Sequence, residues 1–222
     1  MTDVLISIEG FSPELLTAYA ESGMERGTAA ISWAFRDNDA AFAVARSEGQ
    51  VVGMSAYIRS DMRFGPERGV AFQAVDSFVV PGMRGHGLFT KLAQAYAAHS
   101  QAEAADLVWG FPNDNAAPAW FGKLGWANHG QVPFLIKPLR AGYFLRKLRL
   151  GGDFPLALGR DQGLSTITTI GNWADVLWDR FAARIGCATI RDQNFLNHRL
   201  FSGPHSSEYR VVADPDGQAG AL

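Results

Sequence analysis

Cysteine is nearly absent. One residue, Cys187, stands among 222, so no intramolecular disulfide can form. One Cys and five scattered His give no ligand spacing for zinc, and no metal site is expected. A basic excess is also missing: 20 Lys and Arg face 22 Asp and Glu, a formal net charge of −2. Nucleic-acid binders usually carry a strong positive surplus, so no nucleic-acid partner is expected. Apolar runs break at charge or Gly well short of the roughly 20 residues of a membrane span, which argues against stable membrane insertion. Residues 1–10 show no n-region or h-region of a secretory signal. With the single Cys, that points to a reducing, cytoplasmic setting.

What is present reads as an α+β layered protein. Ser12 and Pro13 are suited to open a helix, and Leu15, Leu16 and Tyr19 give it an apolar face up to Gly23. Residues 24–39 are loosely patterned. Residues 41–46 and 51–59 read as a strand pair around a turn at 47–50. A turn at 64–69 leads to a strand at 70–80 that is apolar on both faces and therefore central in its sheet. Alternation puts Asp76 and Phe78 on the face of Phe72 and Ala74. From Gly87 onward Leu88, Leu92, Ala95, Tyr96 and His99 recur at helical spacing. Residues 107–109 read as a short strand, 116–124 as a helix closed by Gly125, and 132–136 as a strand.

Beyond Pro138 the composition changes. Arg140, Arg146, Lys147 and Arg149 alternate with Tyr143, Phe144, Leu145, Leu148 and Leu150 until Gly151-Gly152-Asp153. The segment reads either as a solvated linker or as a surface that docks on a membrane or a partner. Residues 172–185 look helical, with Trp173, Val176, Leu177, Phe181 and Ile185 on one face. Residues 209–213 read as a strand, followed by a turn at 214–217. Left unpaired, that strand could join a neighbour's sheet edge and make a homodimer.

The chemistry concentrates in Val79-Val80-Pro81-Gly82-Met83-Arg84-Gly85-His86-Gly87-Leu88-Phe89. A central strand ends, a Gly-rich turn follows and a helix begins. Amides at a helix start lack partners, and the helix dipole adds positive charge there. Such a turn can seat a phosphate or diphosphate, or serve packing alone. No Gly-Lys-Ser/Thr follows, which excludes a P-loop, and only Gly85-His86-Gly87 is present where a Rossmann site needs G-x-G-x-x-G.

Arg84-Gly85-His86-Gly87 after a strand resembles the acyl-CoA loop of the GNAT N-acetyltransferases, with the pattern Gln/Arg-x-x-Gly-x-Gly/Ala. Arg84 and Gly87 match the first two fixed positions, and Phe89 replaces the last. The stretch from Asn113 to Trp126 is similar to the family's Asn-x-x-Ala…Tyr-x-Lys-x-Gly-Phe segment. The resemblance covers residues 1–138. It extends to a branch met among bacterial polysaccharide-associated and tandem-GNAT acetyltransferases, in which Arg191-Asp192 and Phe195 to Arg199 are similar to the start of a second half. The expected domains are thus 1–138, a basic and apolar linker at 139–165, and at 166–222 a partial second GNAT-like half or C-terminal extension.

The resemblance implies a mixed, mostly antiparallel sheet flanked by helices. It implies acetyl-CoA as acyl donor and the primary amine of a small molecule, such as an amino sugar, as acceptor. Phe78, Val79 and Val80 would flank the pantetheine. Arg84, Gly85, His86, Gly87, Leu88 and Phe89 would hold the diphosphate. Asn113, Asn115, Trp120 and Phe121 would line the second segment. The Val79 amide would polarise the acetyl carbonyl. Asp76 is the candidate base, with a structurally paired acid as its other reading. Phe121 stands where the family's acidic Tyr falls, so the thiolate leaves unassisted or uses water. A catalytically inactive module that binds CoA or a partner is the alternative, and an aminoacyl-transferring relative a third reading.

Overall fold

The computed structural model describes residues 3–23, 27–35, 39–133, 140–154, 164–208, 210–214 and 220–221. Met24, Asp37, Tyr209, the turn residues 215–217 and the part of the expected strand at 134–136 lie outside them. Within that strand, Val132 and Pro133 are not extended into a sheet.

The chain opens on a strand, β1 (Val4–Gly10), which the sequence reading left without structure. There follow α1 (Pro13–Glu21), α2 (Thr28–Phe35), β2 (Ala41–Ser47), β3 (Gln50–Phe64), β4 (Glu67–Val79), α3 (Leu88–Ala102) and β5 (Leu107–Gly110). The sheet order is β1-β2-β3-β4-β5, antiparallel except for the last pair. The β2–β3 turn is the two residues Glu48 and Gly49, both at positive φ, which matches the twist of a tight hairpin. Ser12 caps α1 by accepting from the Leu15 amide at 3.3 Å. α2 arises in the stretch read as unpatterned. Its Thr-Ala-Ala-Ile-Ser-Trp-Ala-Phe is apolar nearly all round, so it shows no periodic stripe.

The sheet separates two cores. On one face α1 and α2 bring Leu15, Tyr19, Ile31 and Phe35 against Phe42, Val44, Met54 and Ala56. On the other, α3 packs Leu88, Leu92 and Tyr96 against Ala43, Ala45, Tyr57 and Phe72. Tyr57 and Tyr96 stack face to face, and burial pushes the Tyr57 phenol up to about 12.

Arg46 on β2 ties the first layer together. It donates to Glu9 on β1 (3.0 Å) and to Glu14 on α1 (2.9 Å), and these bonds hold both carboxyls below their ordinary range. A carboxyl depressed on folding stabilises the fold above its unfolded-state value, and that gain fades as pH falls through the folded one. Denaturant midpoints measured from neutral pH down to the acid carboxylate range are expected to fall less steeply in Arg46→Ala than in wild type.

C-terminal to these lie α4 (Gly142–Lys147), β6 (Ser165–Thr166), α5 (Trp173–Ala182), β7 (Cys187–Thr189), α6 (Gln193–Phe201), β8 (Val212–Ala213) and β9 (Gly220–Ala221). β7 does not stand apart from the first sheet. It pairs with the outer end of β3, Phe64 opposite Cys187 and Met62 opposite Thr189, in line with β2. α6 stacks His198 on Trp33 of α2 at 5.4 Å.

Several expectations change here. α5 buries Ala174, Trp178 and Ala182, while Val176, Leu177 and Phe181 are exposed. Ala174 packs with Ile170 and Leu200, and Trp178 and Ala182 pack with Ile190, so the buried face alternates one large ring with two small residues. Cys187 is exposed at the start of β7. The Val212–Ala213 strand is not unpaired, because β6 and β9 flank it.

Candidate acyl-donor site

The site begins where β4 and β5 part. They pair from Ala71 opposite Leu107 to Ala74 opposite Gly110, and β5 then ends while β4 runs on to Val79. On the other side of β4, β3 stays paired through Gly53 opposite Val79. Among the described residues, the β4 segment after Ala74 therefore has one paired edge and one open edge.

Its register slips at the same place. Ala74 lies opposite Tyr57 and Ser77 opposite Ser55, so Val75 and Asp76 together face the single Ala56. This extra residue is a β-bulge, and it reverses the alternation beyond it. Val70, Phe72 and Ala74 pack with α3, whereas Phe78 packs with α1 and α2. Asp76 turns with Phe78. The sequence reading put Asp76 and Phe78 on the face of Phe72, and the bulge is the reason they are on the opposite one. Ser77 lies across the sheet from them and its hydroxyl meets that of buried Ser55 at 2.7 Å.

Asp76 meets a residue that sequence reasoning passed over. The Tyr19 hydroxyl donates to Asp76 Oδ2 at 2.5 Å, bridging α1 and β4. Tyr19 reads as one more apolar position of α1, and it is almost fully buried. Only the bulge, invisible in the period-2 pattern, brings the two side chains to one face.

The Val80 amide donates to Val52 O at 3.0 Å. Amides alternate sides along a strand, so those of Phe78 and Val80 turn to β3 and those of Ser77 and Val79 turn to the open edge. Val79 O on that edge accepts Arg84 Nε at 2.9 Å. Arg84 thus clamps the strand end with its side chain, and its own amide bonds Pro81 O at 3.2 Å. Of the loop amides expected to act as donors, Arg84's is engaged within the chain.

The rest are not. Pro81–Met83 forms a single 3₁₀ turn, and α3 starts at Leu88 after Gly87. Among the described residues, no acceptor meets the amides of Gly85, His86, Gly87, Leu88 or Phe89. Gly85, His86 and Gly87 are exposed, and Gly87 has φ +73 with open space where a Cβ would point. Leu88 is buried under the sheet and anchors the helix start. A cleft of about 180 Å³ lies at the end of β4, lined by Phe78, Val79, Val80 and Arg84, by Val51 of β3 and by Ala18 and Ser22 of the α1 end; none of Gly85 to Phe89 lines it. Free amides beside an open strand edge fit a nucleotide diphosphate continued by an amide-bearing arm.

The second segment meets the first through aromatic rings. Phe89 packs edge-on to Trp120 at 5.6 Å, and Trp120 touches Trp126 at 4.0 Å. Trp120 is buried, so it builds the wall of the site. Asn113 Oδ1 accepts from the Ala116 amide at 3.0 Å and caps the turn before it. The expected helix at 116–124 is mostly a wide π-type turn at Ala119–Lys123. Phe121 is half-buried and Asn115 exposed. Nearby on β5, the Trp109 indole N–H is buried with no partner among the described residues, a cost of about 1–3 kcal/mol that a bound acceptor would relieve. Among the described residues no three His, Cys, Asp or Glu side chains converge on a metal position, and no helix is long and apolar enough to cross a membrane.

No curated protein sequence matches the chain. Solved structures do. A Trypanosoma brucei acetyltransferase superposes with TM-score 0.50 at 20% identity, covering 61% of this chain and 100% of that one. A transcriptional regulator from Bacillus halodurans C-125 does so with TM-score 0.50 at 11% identity, covering 60% and 100%. At these identities the likeness concerns the fold, a mixed and mostly antiparallel sheet flanked by helices. The model of the acetyltransferase (GNAT) domain matches residues 18–128, half of the chain, and the chain therefore belongs to the GNAT acetyltransferase family.

Proposed function

We propose that the protein transfers an acetyl group from acetyl-CoA to the primary amine of a small molecule, in the cytoplasm, by direct attack within a ternary complex. One observation carries the reading: the consecutive amides of Gly85 to Phe89, unpaired among the described residues, adjoin the edge of β4 left open among them. The first would hold the diphosphate and the second, at Phe78, Val79 and Val80, the pantetheine.

The thioester supplies an acetyl carbonyl already activated towards amines. The Val79 amide, turned to the open edge, donates to the carbonyl oxygen as negative charge grows on it. Asp76 takes the proton that converts the acceptor ammonium into a neutral amine. Tyr19 donates to that carboxylate and holds its orientation. The amine lone pair forms the N–C bond, the C–S bond breaks, its electron pair leaves on sulfur, and the remaining extra proton on nitrogen passes through water to the departing thiolate. Phe121 offers no proton there, and a thiolate is a good enough leaving group to depart without one. Holding both reactants supplies much of the rate.

Calorimetry is expected to show saturable acetyl-CoA binding, and a panel of small amines to release free CoA thiol above the hydrolysis background. Binding without release for any amine would favour the inactive module, and no binding at millimolar ligand would defeat the proposal.

A further inference from the structure

The basic and apolar segment after Pro138 takes no part in that chemistry, and its structure is unusual. Residues 140–154 form a closed excursion. The Ala141 amide donates to Phe154 O at 2.9 Å, the Gly142 amide to Asp153 Oδ1 at 2.9 Å, and Arg140 Nε to Asp153 Oδ2 at 2.7 Å. The two ends are pinned, Ala141 and Gly142 are buried, and the remainder is held outward.

What it holds outward is apolar. Tyr143 is 60% exposed, Phe144 47%, Leu148 68%, Leu150 55% and Phe154 55%. Scattered exposed apolar side chains are normal, but five within twelve residues, fixed by a local turn, form a patch that wants a partner. Arg146, Lys147 and Arg149 are interleaved with them and exposed. The segment has four cations and one carboxylate in a chain of net −2, so the rest of the chain is acidic on balance. The positive charge is concentrated where the apolar groups protrude.

We infer that residues 140–154 dock on an anionic lipid surface. Charge complementarity selects this occupant. A second copy of the chain would bring a net negative body but the same cationic patch to a symmetric contact. At a bilayer interface, Tyr and Phe rings and Leu side chains enter the headgroup and acyl boundary, while Arg and Lys stems extend back to lipid phosphates. Val176 and Phe181 of α5 are also exposed, but Asp175 and Asp179 outnumber Arg180 beside them, so that face has no net positive charge to offer. The inference is independent of the acetyl-transfer reading.

The test is flotation of the full chain with vesicles of phosphatidylcholine alone or mixed with phosphatidylglycerol. Binding is expected only to the mixed vesicles, weakening as salt screens it. Arg146→Gln with Lys147→Gln should lower partitioning about 25-fold, roughly fivefold per cation. Tyr143→Ser with Leu148→Ser should also abolish retention, and Val176→Ser with Phe181→Ser should not. Unchanged melting curves and soluble recovery check that the variants fold. Equal binding to neutral vesicles, no binding, or loss in the α5 control would each overturn the inference. So would a dimer in solution that Tyr143→Ser with Leu148→Ser dissolves.

Discussion

Gly87→Trp is expected to weaken acetyl-CoA binding at least 100-fold by calorimetry while the protein stays folded. Two effects coincide. Gly87 sits at φ +73, and a side chain there costs about 1–2 kcal/mol. Nothing lies within 4 Å of where its Cβ would be, so an indole would project into the open side of the loop, which on the proposed reading the diphosphate occupies. Gly87→Ala separates the two, since it brings the strain and little bulk. It should lower the melting temperature almost as much as Trp does and reduce affinity far less. Equal affinity in wild type and Gly87→Trp would remove the loop from the binding site.

Asp76→Asn is expected to lower kcat by about 100- to 10,000-fold, the usual worth of a positioned base. Acetyl-CoA affinity should change little, because Asp76 is bonded to Tyr19 of α1 and is not part of the amide loop. Tyr19→Phe tests the role assigned to the phenol. A positioning residue loses part of kcat, shifts the acid limb of the pH–rate profile and leaves the amine KM nearly unchanged. A merely structural Tyr19 would lower stability without moving the pH profile. If Asp76→Asn retains wild-type turnover at all pH values, the base is water or another group.

The core of the fold was legible from local patterns. Leu88 to His99 showed the helical period, and the strands around Glu48-Gly49 were bounded by turn residues that act locally. The loop from Pro81 to Phe89 was legible because glycine spacing between a strand and a helix has few uses. The geometry at Asp76 was not. A bulge depends on the partner strand, here on Ala56 facing two residues at once, and β4's own sequence carries no mark of it. The same limit explains α5, whose larger side chains suggested one buried face while Ala174 and Ala182 permitted the other. β1 was missed although Val4, Ile6 and Ile8 alternate with Leu5, Ser7 and Glu9, because Leu5 blurs the pattern by facing solvent.

The outer end of β3 has a consequence for how this protein is made. Phe64 pairs locally with Glu67 on one edge but with Cys187 on the other, so a nascent chain holds that second edge bare until the ribosome has delivered everything between. Contacts so distant along the chain close slowly, and an unpaired strand edge in the interval invites strangers. Arg63, whose guanidinium reaches Asp179 once the C-terminal part arrives, is a charge stationed on that waiting edge. The molecule thus completes its sheet last at the end farthest from its glycine loop.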